Sequence, residues 1–276
     1  MTIRIGMAQI LVEGGRPGPN LDRAVAAIGR AAALGCRAVV LPECLNLGWT
    51  EPSARELAQT IPGLHFDRLA EAARTNRVHV AAGLVERSGP RLFNAAVLIG
   101  PTGELLLHHR KINELDIALD LYSIGDRLGV VETELGTIGL AICADNFSDS
   151  LAVGHVLARM GAQIILSPCA WAVDADHDNA RDPYGQLWLD AYSELARLYD
   201  VTVIGVSNVG WLTAGPWKGR KCIGCSLAIG PTGVLVRGPY GEAAEAVTVV
   251  EVGARPPVGR GTQVAGELRR RGYVGP

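Results

Sequence analysis

Three stretches of this sequence end an apolar run on a residue that can do chemistry. "VVLPECLNLGW" places Glu43 after strand-type residues and a proline, "LLLHHRKINE" places Lys111 after three leucines, and "GLAICADNF" places Cys143 at the top of a strand with Asp145 two residues on. A free thiol with a pKa near ~8.5 is only a few per cent thiolate at neutral pH. A carboxylate can take its proton, and an ammonium can stabilise first the thiolate and then an oxyanion. Glu43, Lys111 and Cys143 are therefore a complete set for acyl transfer. No histidine is required, and His108 and His109 fit that role poorly because they alternate faces of the strand before Lys111. Taken singly, each residue has a plain reading: a solvated loop carboxylate, a surface lysine beside Arg110, a core cysteine. Taken together they point to one crevice, since residues just beyond strand ends line the ligand clefts of α/β sheets.

The turn after Cys143 reads as a nucleophile elbow, strand into helix. It would present the Ala144 amide as one oxyanion donor, with Lys111 as the other, and "NFSD" would cap the next helix. Around it, strands alternate with amphipathic helices. "IRIGMAQI" is a strand. Asn20 caps a helix whose Leu21, Val25, Ile28 and Ala32 share a face and which Gly35 ends. "CRAVVLPE" is a buried strand, "FDRLAEAARTN" a short helix, and "VHVAAGLVE", "FNAAVLIG" and "ELLLHHRKI" are strands. Beyond Cys143, "DSLAVGHVLARMG" is a helix and "AQIILSPCAW" a strand, and Tyr184, Leu187, Trp188, Ala191, Leu195 and Leu198 mark one face of a long helix. "LIGPTGELLL" recurs as "AIGPTGVLV", in both cases hairpin chemistry with Pro and Gly in the turn. The echo implies one α/β domain of two pseudo-symmetric sheets over residues 1–254. The Pro-, Gly- and Arg-rich residues 255–276 read as a C-terminal arm rather than core.

Composition narrows the class. Of 276 residues 48% are hydrophobic and 20% charged, and the net charge is −2, a globular balance without a basic stripe for nucleic acid. No apolar run is long enough to span a bilayer, and a first strand starting at Ile3 leaves no room for a signal peptide. Six cysteines, mostly inside strand-like runs, read as reduced thiols in a cytoplasmic protein. "CIGC", Cys222 to Cys225, has half-site spacing for zinc or redox use, but no second pair follows it. Strand ends offer Trp49, Tyr122, Trp171 and Asn208 as substrate-binding candidates; an aromatic at such a place serves core and pocket alike.

On "GMAQI", "VVLPE", "FNAAVLIGPTGELLLHHRK", "GLAICADNFSD", "LSPCAW", "VSNVG" and "GCSLAIGPTGVLV", in that order from Ile3 to Val252, the chain resembles the nitrilase superfamily of carbon–nitrogen hydrolases. The resemblance implies a four-layer α-β-β-α sandwich that pairs into homodimers or higher oligomers. It also implies hydrolysis of small linear amides or N-carbamoyl compounds through a thioester, without metal or organic cofactor. The family's Glu-Lys-Cys triad falls on Glu43, Lys111 and Cys143. A further glutamate is expected after the lysine; Glu114 is favoured over Asp116 and Asp120. "CAD" stands where nitrilases tend to have Trp-Glu after the cysteine, which leans toward amides. Nitrile hydrolysis, acyl transfer on the same site, and a non-catalytic metabolite-binding role are the alternatives.

Overall fold

Two six-stranded sheets follow one plan. In the computed structural model, which describes residues 2–253, 255–257, 259 and 261–275, β1 (Thr2–Gln9), β2 (Ala38–Val40) and β3 (His79–Ser88) run parallel. Beyond β3 lie the antiparallel β4 (Arg91–Ile99) and β5 (Leu105–Arg110), and beyond β1 lies the antiparallel β15 (Ala246–Gly253). In the second sheet β7 (Gly136–Leu140), β8 (Ile164–Cys169) and β10 (Thr202–Ser207) are the parallel trio. β13 (Leu227–Gly230) and β14 (Gly233–Arg237) flank β10, and β6 (Val130–Thr133) flanks β7, all antiparallel. The two Pro-Thr-Gly hairpins thus occupy equivalent places. Each turn places a glycine at positive φ, Gly103 at 89° and Gly233 at 108°, and each pair carries a register shift, at Leu98/Ile99 and at Ala228/Ile229. A small third sheet joins β9 (Ala172–Val173), β12 (Lys221–Ile223) and β11 (Val209–Trp211).

Side-chain alternation along β1 explains the layering. Ile3, Ile5 and Met7 enter the core shared with β7, β8 and β10, while Ala8 belongs to the cluster under α1 (Pro17–Ala33) and α3 (Leu64–Asn76). Gly6 faces α1, and a Cβ there would stand 2.7 Å from that of Ala31. On the opposite outer face α4 (Ala152–Arg159) and α5 (Gln186–Tyr199) bury Leu157, Trp188, Tyr192 and Leu195. The result is the four-layer α-β-β-α sandwich. A one-turn helix, α2 (Ala54–Leu57), sits in the loop after β2. Among the described residues no helix is long and apolar enough to cross a membrane.

Four local expectations need correction. Asn20 does not cap α1, which starts at Pro17; instead its side chain accepts from the Glu13 amide at 2.9 Å and donates to the Glu13 carbonyl at 2.7 Å, pinning the preceding loop. "NFSD" caps nothing: α4 begins at Ala152 after Leu151, and the Asn146 side chain is spent on Ser167 Oγ at 3.0 Å. Tyr184 precedes α5 and Leu187 faces solvent, so the buried face is Trp188, Ala191, Tyr192, Leu195, Leu198 and Tyr199. The tail is not wholly an arm, because α6 (Gln263–Arg270) buries Val264 and Leu268 in the larger core. Residue 254, where a boundary was expected, lies outside the described residues.

Candidate active site

Glu43 is delivered by a loop that crosses between the sheets. The Leu41 amide still bonds β3, at the Ala81 carbonyl (2.8 Å), whereas the Glu43 amide donates to the Cys169 carbonyl (3.1 Å) at the end of β8. Passage is this close because β3 has Gly83: a Cβ there would lie 2.5 Å from Glu43 Cα. The carboxylate is buried, 2% exposed, and Oε1 accepts from Asn94 Nδ2 at 2.6 Å and from Lys111 Nζ at 2.7 Å. Asn94 Oδ1 in turn accepts from the Cys44 thiol at 3.4 Å.

Lys111 follows β5 directly, its amide bonded to the Asn94 carbonyl and its carbonyl to the Gly125 amide, both at 2.8 Å. Its ammonium lies between two carboxylates, Glu43 at 2.7 Å and Glu114 Oε2 at 3.8 Å. Burial alone would push this ammonium down; the Glu43 and Glu114 charges outweigh it and hold Lys111 well above its ordinary range. Glu114 is pushed up to about 7, first by burial, against the pull of Lys111 and with the push of Glu43. Neither Glu114 oxygen has a hydrogen-bond partner.

Cys143 stands where the β7 segment turns. Its φ is 42°, a conformation that L-residues seldom adopt and that marks tight turns at functional sites. Residues 143–146 form a 3₁₀ turn. Burial raises the Cys143 thiol well above its ordinary value, aided by the nearby Cys169 thiol and by the Glu43 charge, with Lys111 opposing. Ser167 Oγ accepts the Cys143 amide at 3.2 Å and lies 3.4 Å from Cys169 Sγ, and the Cys169 carbonyl is the one that holds the Glu43 amide. Ala144 occupies the first turn, where amides have no partner within the helix. Its carbonyl is tied down by Asn113 Nδ2 at 2.7 Å and Ser150 Oγ at 2.8 Å.

Asp145 fastens the cysteine turn to the lysine loop. Fully buried, it accepts the Ile112 and Asn113 amides on Oδ1 (3.0 and 2.8 Å), and the Ile142 amide and His109 Nε2 on Oδ2 (2.9 and 2.8 Å). Burial opposes its charge, yet His109 and the amides hold the carboxyl below its ordinary value. One side chain thus fixes the residues on either side of two of the three reactive groups.

The remaining candidates divide. Trp171 is buried, stacked on Trp188 with centroids 4.8 Å apart, and its Nε1 has no partner; Asn208 is buried with Oδ1 unpartnered. Both keep polar atoms unspent. Tyr122 is spent: its hydroxyl accepts the Thr50 amide at 3.1 Å. Trp49 packs on Trp217 at 4.9 Å and also keeps its Nε1 unpartnered, in a cavity it lines with Asn208, although it belongs with Tyr122 to an apolar cluster with Cys44 and Val85. Sequence reasoning missed Asn94, His109 and Ser167. Asn94 did leave a signal, a lone amide inside the apolar strand "FNAAVLI".

Comparison with known proteins follows the same lines. Residues 4–255 match the family model described as carbon-nitrogen hydrolase. Omega-amidase NIT2 of Xenopus tropicalis is 32% identical over 178 residues, covering 61% of this chain and 63% of that protein. Its counterpart in Homo sapiens is 32% identical over 162 residues, covering 55% and 58%. The chain therefore spans about three fifths of the length of the curated relatives it matches. Among solved structures, a double mutant of the amidase from Nesterenkonia sp. AN1 in complex with acrylamide has a TM-score of 0.76 at 20% identity, covering 91% of this chain and 90% of that one. A single mutant of the same amidase, showing covalent addition of the acetamide moiety of fluoroacetamide at its active-site cysteine, also has a TM-score of 0.76 at 20% identity, covering 97% and 92%. At such identity the likeness is one of fold. With the family model spanning nearly all of its length, this chain belongs to the carbon–nitrogen hydrolase family.

Proposed function

We propose that the protein is an enzyme, a cysteine-dependent amidase that hydrolyses small linear amides or N-carbamoyl compounds through a thioester on Cys143. The observation that carries this reading is the buried Lys111 ammonium, held between Glu43 and Glu114 beside the thiol. A binding module would gain nothing from burying these charges, since each costs several kcal/mol of desolvation. In this reading Glu43 takes the Cys143 proton as sulfur attacks the carbonyl carbon. The oxyanion is held by Lys111 and the Ala144 amide, each worth ~3 kcal/mol. Glu43 returns the proton to the departing nitrogen, ammonia leaves, and water activated by Glu43 cleaves the thioester. Glu114, 3.8 Å from the Lys111 ammonium, helps to hold it in place. Trp171 and Asn208 supply the substrate pocket, while Tyr122 and Trp49 support the Glu43 loop from behind. The amidase names of the matched omega-amidases and of the structural neighbour favour amides over nitriles. A homodimer and a cytoplasmic location are part of the proposal, the latter resting on six free cysteines.

The test is ammonia release from a panel of small linear amides and N-carbamoyl compounds, by the wild type and by Cys143→Ser. Turnover by the wild type alone supports the proposal. Equal turnover by Cys143→Ser, or none by the wild type with any compound, contradicts it.

A further inference from the structure

Cys143 has a neighbour that the hydrolytic mechanism does not use. β7 and β8 run parallel with Leu140 opposite Leu166, and the Ala141 amide continues the pairing to the Leu166 carbonyl at 3.2 Å. Cys143 lies just past the end of that pairing, where the chain enters its 3₁₀ turn, and Cys169 is the last residue of β8. Neighbouring strands stand about 4.8 Å apart, within the ~4.4–6.8 Å between Cα atoms that a disulfide bridges. One hydroxyl marks how close the two residues are: Ser167 Oγ accepts the Cys143 amide at 3.2 Å and lies 3.4 Å from Cys169 Sγ. The Cys169 thiol also donates to the Ser167 carbonyl at 3.2 Å, so both cysteines are anchored on the same serine. The other nearby sulfurs are engaged elsewhere, Cys44 with Asn94 and the Tyr122 hydroxyl, Cys222 with Asn208.

We infer that Cys169 is a resolving thiol for Cys143, so that a peroxide converts the pair to an intramolecular disulfide which a dithiol reverses. Exposure sets the order of events, since Cys143 is 8% exposed and Cys169 not at all. Cys143 sulfur attacks one peroxide oxygen, the O–O bond breaks, and the thiol proton leaves with the released hydroxide as water. The sulfenic acid so formed is attacked by the Cys169 sulfur; the S–S bond forms, the S–O bond breaks, and a second water carries away the Cys169 proton. Two thiols and one hydrogen peroxide give one disulfide and two waters. The bond protects Cys143 from the irreversible sulfinic state and removes the sulfur from any attack on substrate. The disulfide follows from the geometry alone; only the accompanying loss of turnover rests on the proposed amidase function.

The experiment treats the full chain with excess hydrogen peroxide at mildly alkaline pH, where more of the buried thiol ionises, and follows intact mass and non-reduced peptide maps. Wild type is expected to lose the mass of two hydrogens, to yield a linked pair of Cys143 and Cys169 peptides, and to return to its starting mass in dithiothreitol. Cys169→Ser is expected to gain oxygen on Cys143, with several-fold more product that dithiothreitol does not reverse; Cys169→Ala serves equally if the serine variant does not fold. Wild type that gains oxygen on Cys143 without a linked peptide overturns the inference, as does a linked peptide that joins either cysteine to a different one. These readouts need no substrate, so a failure of the amidase reading shows up separately, as absent ammonia release from untreated protein.

Discussion

Replacing Glu114 with glutamine should change how stability depends on pH, by an amount the structure sets. The carboxyl rises from 4.5 to about 7 on folding, because burial, with the Glu43 and Asp145 charges, outweighs the pull of Lys111. Below the unfolded value it is protonated in both states and contributes nothing. Between the two values the unfolded chain has released a proton that the folded chain keeps, so each rise in pH favours unfolding. Above about 7 the cost is complete. At ~1.4 kcal/mol per pH unit it comes to about 3 kcal/mol. Glu114→Gln removes that titration. Denaturant unfolding of both proteins from mildly acidic to mildly alkaline pH reads the difference directly. Wild type should lose about 3 kcal/mol relative to the variant across that window, whatever the offset between them at the acid end. Parallel curves would refute the reasoning, because they would mean that Glu114 is not held protonated by this site.

Other substitutions probe how the site is held. Lys111→Met leaves Glu43 buried without its counter-ion, which should cost about 3–5 kcal/mol of stability and reduce kcat by ~10²–10³-fold, measured by unfolding and ammonia release. Asp145→Asn leaves one oxygen to serve the amides of Ile112, Asn113 and Ile142 together with His109; it should slow iodoacetamide alkylation of Cys143 and lower kcat more than it changes KM. Gly83→Ala puts a methyl 2.5 Å from Glu43 Cα, against backbone that cannot yield cheaply; it should shift Glu43 away from Lys111 and lower kcat by at least tenfold, while Gly18→Ala, in open space and without a positive φ, serves as the control.

What could be read in the sequence was what short-range pattern carries. Glu43, Lys111 and Cys143 each follow a strand-type run, so their placement at strand ends was visible. Glu114 lies three residues from Lys111 and within 3.8 Å of its ammonium. The paired Pro-Thr-Gly hairpins gave away the pseudo-symmetric sheets, because turn chemistry is local. Asp145 as a clamp was not legible: its partners at 109, 112 and 113 become neighbours only once the ends of β5 and β7 are brought together. The Cys143–Cys169 juxtaposition likewise depends on β7 pairing with β8 in a particular register. In the tail, a composition rich in Pro, Gly and Arg concealed Val264 and Leu268, four residues apart on one helical face and enough to dock α6. Capping rules misplaced Asn20 and Asn146 because the first found loop backbone and the second found Ser167 instead.

The central claim is that Cys143 becomes acylated by an amide that the enzyme turns over. Rapid acid quench during turnover, followed by mass spectrometry of the Cys143 peptide, tests it most directly. The account predicts an added acyl group on that peptide, present in wild type, absent in Cys143→Ser, and lost again once substrate is exhausted. An amide hydrolysed at full rate with Cys143 unmodified throughout, or an acyl group found on any other residue, would contradict it.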